Sequence, residues 1–476
     1  MTEKTKEKSK KKRSISSFTI LLIMLVALAL ITVAMSFAGV EGVEGATIAN
    51  VATAPVKGFT DALPVCLFVL ILGGFLGIVT ETGALDAGIA ALVKKLKGNE
   101  LVLIPILMFI FSIGGTTYGM CEETVPFYLL LAATMFAAGF DPLVGAAIVL
   151  LGAGVGCLGS TVNPFAVGAC IDSLTSIGIE VNQAIIIPLG IALWLASLVV
   201  AILFVMSYAR KVKANKGSTI LSLQEMEEAK AAYGEKEIAA DAKLSGTQKA
   251  CLIIFAAAFV VMVIGFIPWG SFGVTAFEGW SAFFTGLPLG EWYFQEATTW
   301  FLFLAILIGI VGKLSESEIV NTFLSGAGDM MSVVMVIAVA RGVSVLMGDT
   351  GLRDYILASA ANALQGMPAI VFAPLSYLLY IVLSFLIPSS SGMASASMPI
   401  MGPLAQQLGF SPEVMVQICC GGNGLVNLFT PTSGAIMGGL ALARVQYSTW
   451  LKFAWKVILV IGVISIVILT CAMMIL

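Results

Sequence analysis

The chain has 476 residues, 59% of them hydrophobic and 11% charged, with a formal net charge of −3. A soluble domain carries about 25% charged residues, so that class is excluded, and so small a net charge says little about partners. Histidine is absent, which removes imidazole general bases and zinc–histidine sites, and with them most hydrolase and metalloenzyme chemistry.

In chain order, residues 1–16 form a basic head, "MTEKTKEKSKKKR", followed by an apolar run from Phe18 to Phe37. That run is long enough to cross the ~30 Å hydrocarbon core and longer than the core of a secretory signal. It is expected to be a retained first span, with the N-terminus cytoplasmic by the positive-inside rule. Further crossings are predicted at 61–80, 143–175 (interrupted), 185–208, 250–268, 297–313, 329–348, 412–443 (interrupted) and 450–475. Segment 209–249, rich in Lys, Glu and Ala, is expected to be a solvated cytoplasmic linker. Segments 84–97 and 350–363 look like short amphipathic helices at the membrane interface. The eight cysteines (66, 121, 157, 170, 251, 419, 420, 471) have no CxxC spacing and are expected to be packing thiols.

The two halves resemble each other. "ETGALD" at 81–86 matches "DTGLRD" at 349–354, "GMCEETVP" at 119–126 matches "GMASASMP" at 392–399, "GFDP" at 139–142 matches "GFSP" at 409–412, and Pro164 matches Pro431. The four anchors keep their order at a near-constant spacing, which points to a duplication, with repeats at 17–208 and 297–476. The predicted crossings total nine, an odd number, which would insert the second repeat upside down. Lys94, Lys95, Lys97, Arg210, Lys211, Arg444, Lys452 and Lys456 would then all lie on the cytoplasmic side. Inverted repeats of this kind mark secondary transporters.

Each repeat carries two polar interruptions. Between 101 and 138 there is no room for two full spans: Leu101–Ile113 makes a leg of about 20 Å. A re-entrant hairpin is expected, with its Gly/Thr-rich tip at 114–124. The matching hairpin at 368–408 has its tip at 387–397, "IPSSSGMASAS". The broken spans carry "GCLGSTVNPF" at 156–165 and "GGNGLVNLFTPTSG" at 421–434. Proline there removes a backbone donor and breaks the helix, freeing carbonyls and half-helix ends near the midplane. Hydroxyls, amides and such carbonyls suit Na⁺, while helix N-termini favour carboxylates.

"GGFLGIVTETGALDAGI", "GGTTYGMCEETVPF", "SSSGMASASMPIMGPLA" and "GNGLVNLFTPTSGAI" resemble the YfcC-type basic amino acid antiporters of the anaerobic C4-dicarboxylate carrier (DcuC-like) family, within the ion transporter superfamily. The resemblance runs from about residue 15 to the end. It implies an all-α polytopic membrane protein of the inner membrane, a homodimer with scaffold and transport domains, and elevator-type movement. It implies cargo among basic amino acids, dicarboxylates and other small metabolites.

Candidate binding residues follow from the interruptions: Thr116, Thr117, Tyr118, Glu122 and Glu123 in the first tip, Ser160, Thr161 and Asn163 in the first break, Ser389, Ser390 and Ser391 in the second tip, and Asn423, Asn427, Thr430 and Thr432 in the second break. Two carboxylates in lipid cost about 2.5–3.5 kcal/mol each at a helix centre. They are explained either by contact with a cationic cargo or ion, or by one of them capping the second hairpin leg. Arg341 is read either as a clamp for a substrate carboxylate, or as snorkelling outward or pairing with Asp349. Glu81 and Asp349 are expected to be helix-end caps.

Among function classes, "GAGD" at 326–329 fits a membrane aspartyl protease pattern, but no Tyr-Asp dipeptide accompanies it, and no P-loop is present. The expectation is therefore a transporter and not an enzyme, with no cofactor beyond Na⁺ or H⁺ as coupling ion. Its expected partners are a small solute and the lipid bilayer, not nucleic acid. A dicarboxylate carrier is the alternative within transport, and a channel the distant one.

Overall fold

The computed structural model describes residues 17–88, 91, 100–233, 244–267 and 269–476, and these contain helices and turns but no strand. The basic head, most of 89–99 with Lys94, Lys95 and Lys97, and 234–243 of the linker lie outside the described residues.

The first half contains α1 (Ser17–Phe37), α2 (Ile48–Asp61), α3 (Leu63–Glu81), α4 (Glu100–Tyr118), α5 (Val125–Ala137), α6 (Pro142–Leu158), α7 (Ala169–Thr175) and α8 (Gln183–Ala214). The linker carries α9 (Leu223–Tyr233), and α10 (Gly246–Phe266) follows. The second half contains α11 (Phe294–Val311), α12 (Glu316–Asp329), α13 (Met331–Asp349), α14 (Leu352–Leu364), α15 (Ala369–Leu386), α16 (Ser390–Gln407), α17 (Pro412–Val426), α18 (Gly434–Leu442) and α19 (Tyr447–Ile475).

The caps explain why helices begin where they do, and they recur. Thr47 and Asn50 form a capping box that starts α2, and 268 residues later (47 to 315) Ser315 and Glu318 form one that starts α12. Asp141 caps α6 ahead of Pro142, and 270 residues later (141 to 411) Ser411 caps α17 ahead of Pro412. Left-handed glycines open the connections after α3 and α13, Gly83 at φ 67° and Gly351 at φ 70°, again 268 apart. A side chain there would be strained.

Two packed groups of helices result. In the first, α2 and α1 lie on α13, while α12 and α11 lie on α3. The α2–α13 and α12–α3 crossings are made by facing glycines. A Cβ on Gly58 would stand 2.2 Å from the Gly342 nitrogen, and one on Gly326 would stand 2.4 Å from the Gly73 oxygen. Small residues at these points allow backbone-to-backbone packing, the strongest resource helices have in lipid. In the second group, α4 and α5 pack on α6, α15 and α16 on α17, and α8 and α19 run beside both.

Several sequence expectations need correction. The first hairpin leg is the 19 residues of α4, not 101–113, because Gly114–Tyr118 stay helical. Helix propensity disfavours Gly114 and Gly115, but a Cβ on Gly115 would lie 2.2 Å from the Ala153 oxygen of α6, so the close crossing overrides it. The turn is confined to 119–124, which includes a 3₁₀ turn at Glu122–Thr124. The second turn likewise shrinks to 387–389, because Ser389 accepts a bond from the Gly392 amide and starts α16 at once. α8 extends to Ala214 and α10 begins at Gly246 on a Ser245–Gln248 capping box, so the linker is 215–245 rather than 209–249. The amphipathic helix expected at 350–363 is α14, and its partner is helical over 84–88.

Among the described residues nine helices are long and apolar enough to cross a membrane, but they are not the nine crossings expected. α4 and α15 qualify, whereas both interrupted spans fall short because each is split into short helices. The breaks themselves stand where the sequence puts them, at 159–163 and 427–433.

The glycine crossings yield a direct test. Gly58→Ala and Gly326→Ala should each destabilise by about 1–3 kcal/mol, read as a lower thermal-unfolding midpoint in detergent. Gly328→Ala meets nothing within 4 Å and should leave the midpoint unchanged or raise it.

Candidate functional site

Both turns and both breaks border one cavity of about 140 Å³ between the two helical groups. That is well above the roughly 10–15 Å³ that a single water requires, so it admits a small polar solute. The second group contributes the tip residues Gly119, Cys121, Glu122 and Glu123, and Asn163, Ser389, Ser390, Ser391, Asn423, Asn427 and Thr432. The first group contributes Val65, Phe294, Ile337, Ala340 and Arg341.

Three helix N-termini open onto this space. The Asn163 side chain accepts from the amides of Phe165 (3.0 Å) and Ala166 (3.3 Å) and starts the π-helical turn Pro164–Gly168 that leads into α7. Ser389 caps α16 at 3.1 Å, and Ser433 caps α18 through the Ile436 amide at 3.5 Å. Each N-terminus carries about half a positive charge and partly unsatisfied amides, a setting that attracts carboxylates. Arg341 adds a full charge. Its guanidinium lies 3.8 Å from the half-exposed Asp61, not beside Asp349, which instead pairs with Lys57 at 2.6 Å. Glu81 is the last residue of α3, whose C-cap is Thr82.

The two glutamates have different surroundings. Glu123 is buried, and its Oε2 accepts the Cys121 amide at 3.0 Å, so it stabilises the turn. Glu122 lines the cavity, and among the described residues its carboxylate forms no ion pair and takes no hydrogen bond from another residue.

Six of the expected residues do not line the cavity. Thr116 donates to the Gly159 oxygen at 2.6 Å, and Thr161 donates to the Thr116 oxygen through both its hydroxyl (3.0 Å) and its amide (2.9 Å). This pair staples the first hairpin to the first break. Thr117 is spent on the Ile113 oxygen at 2.6 Å, and Tyr118 stacks on Phe266 with ring centroids 5.8 Å apart. Ser160 donates to the Cys157 oxygen at 2.7 Å and accepts from the Asn163 amide at 3.0 Å. Thr430 lies 2.6 Å from the Thr432 hydroxyl and holds the second break in shape.

Many of the carbonyls freed by the breaks are also taken. Gln417 donates to the oxygen of Ser160 (2.8 Å) while also bonding that of Ile186 in α8 (3.0 Å), Trp450 donates to that of Leu428 (2.9 Å) and Tyr447 to that of Phe429 (2.6 Å). Of the lining residues missed in the sequence, Ser433 carries a legible signal, since Ser before a helical run is an N-cap. Cys121, Cys157 and Phe294 carry none. Among the described residues, no cluster of three or more Cys, Asp or Glu side chains could hold a metal.

The chain has detectable relatives. It is 32% identical over 426 residues to an uncharacterized protein of Haemophilus influenzae, covering 88% of this chain and 78% of that one. It is 28% identical over 415 residues to the Escherichia coli protein named "Putative basic amino acid antiporter YfcC", covering 84% and 76%. Among solved structures, it is similar to MtrF of Neisseria gonorrhoeae (18% identity, 98% and 96% of the chains, TM-score 0.44) and to the YdaH transporter of Alcanivorax borkumensis (16%, 95% and 97%, TM-score 0.44). The profile of the C4-dicarboxylate anaerobic carriers (DcuC) matches residues 11–474. A match over nearly the whole length, on a fold with nine membrane-length helices among the described residues, places the chain in the DcuC family as a multi-pass membrane transporter and not an enzyme.

Proposed function

We propose that the chain is a secondary transporter of basic, arginine- or ornithine-like amino acids in the plasma membrane, with its N-terminus in the cytoplasm. The observation that carries this reading is the charge pattern of the cavity. One unpaired carboxylate, Glu122, faces a set of anion-attracting helix N-termini and Arg341. A solute with a carboxylate at one end and a cationic group at the other meets a complement at both. The name given to the E. coli relative agrees with it.

The proposal includes the mechanics. The helix–turn–helix units 100–137 and 369–407 are re-entrant, and the repeats are inverted. This is supported by caps, breaks and glycine crossings that recur about 270 residues apart and by the exchanged packing of α2 on α13 and α12 on α3. The first helical group is the scaffold of a homodimer, and the second moves as an elevator. Transport is coupled to Na⁺ or H⁺, or proceeds by exchange. Asn423, Asn427 and Thr432 offer hard oxygen ligands at the second break.

A dicarboxylate carrier is the second reading. The converging N-termini favour it, as does the description of the family. A thermal-shift panel on the purified protein separates the two: arginine or ornithine should stabilise it. Stabilisation by succinate and by neither amino acid would reject the basic amino acid reading.

Substitutions sharpen the assignment. Glu122→Gln should lower arginine uptake into proteoliposomes at least ten-fold with an unchanged unfolding midpoint. Glu123→Gln keeps an oxygen acceptor for the Cys121 amide and should retain most uptake. Arg341→Gln should weaken binding of arginine but not of a diamine lacking the carboxylate; equal losses for both would remove Arg341 from the carboxylate subsite.

A further inference from the structure

Among the described residues, α2 and α13 are joined by two ion pairs of opposite polarity and unequal closeness. Lys57 of α2 and Asp349 of α13 meet at 2.6 Å, in a charge-assisted hydrogen bond. One turn further along α2, Asp61 comes no nearer to the Arg341 guanidinium than 3.8 Å, beyond hydrogen-bond reach. Distance between the helices is not the cause. A Cβ on Gly58 would stand 2.8 Å from the Arg341 carbonyl carbon, so the backbones touch beside this pair.

Arg341 is therefore left with its donors unspent. Its side chain is 24% exposed, and among the described residues its guanidinium donates no hydrogen bond. Five N–H groups in a planar fork match a carboxylate, and Arg341 lines the polar cavity. Asp61 holds it weakly for three reasons. The Asp61 side chain is 57% exposed to solvent. It is the last residue of α2, where the helix dipole repels an anion. At 3.8 Å only charge attraction remains, and an exposed pair of this kind shifts an equilibrium by roughly a factor of five at most. The Lys57–Asp349 pair and the glycine crossing fasten α2 to α13 without it.

We propose that Asp61 is a stand-in for the cargo carboxylate: it pairs with Arg341 between transport events and is displaced when a carboxylate enters the cavity. Like the proposed function, this exchange rests on Arg341 as the carboxylate subsite, and it applies to an amino acid and a dicarboxylate alike. The guanidinium keeps a partner at both stages. Every carboxylate cargo competes with Asp61, which sets its affinity below what Arg341 alone would give.

The test measures binding of arginine, succinate and a diamine lacking a carboxylate to the purified full chain by calorimetry. Asp61→Asn removes the competitor and should bind whichever carboxylate the wild type binds roughly two- to five-fold more tightly, with no gain for the diamine. Asp61→Glu keeps the charge and should bind no more tightly than the wild type. Asp349→Asn removes a charge of the same sign from the neighbouring pair and should leave the carboxylate affinity unchanged. Weaker or unchanged carboxylate binding by Asp61→Asn overturns the proposal, the weaker case making Asp61 a support of Arg341. An equal gain in Asp349→Asn also overturns it, since net charge would then account for the effect. If the wild type binds neither arginine nor succinate, the carboxylate reading of the cavity itself fails and the exchange falls with it.

Discussion

A hydrocarbon surround offers no water to backbone amides and carbonyls, so every departure from helix inside it must be satisfied by the protein itself. That constraint organises the second helical group. Where α6 stops, Thr116 and Gln417 take the oxygens of Gly159 and Ser160; where α17 stops, Trp450 and Tyr447 take those of Leu428 and Phe429. Asn163, Ser389 and Ser433 satisfy amides at the helix starts that follow. The breaks are thus rigid features with assigned partners, and the groups left over at their edges are those that line the cavity.

The same requirement separates frame from contact surface. Thr116, Thr161, Ser160 and Thr430 hold the irregular backbone together, and Glu123 closes its own turn. Glu122, Arg341, Ser390 and Asn423 remain facing the enclosed space. The cavity also lies at the seam of the two helical groups, with Arg341 on one and Glu122 on the other, so relative movement of the groups alters the field inside it.

Much of this was legible in the sequence. Apolar runs mark the spans, the Pro/Asn/Gly clusters mark the breaks, and ten of the sixteen expected residues border the cavity. The failures have physical causes. Thr116 and Glu122 sit six residues apart in one polar motif, and composition cannot say which of them faces a neighbouring helix. The length of α4 is hidden because the Gly114–Gly115 pair reads as a turn until the crossing of Gly115 with α6 is known. Arg341 was offered Asp349 along its own helix, whereas Asp61 comes from α2, adjacent only after folding.

Gly83 and Gly351 also bear on how the molecule can move. Apart from the linker, the chain leaves the first helical group only after α3 and after α13, and each exit begins with one of these left-handed glycines. Gly351 is held from outside: the Glu44 amide bonds to the Thr350 oxygen at 2.9 Å, and the Gly42 oxygen fills the place of a Cβ. Gly83 is held through a 3.3 Å bond from Gln248 to its oxygen. Two swivels of the same hand, one at each exit, mean that any tilt of one group against the other must turn about both.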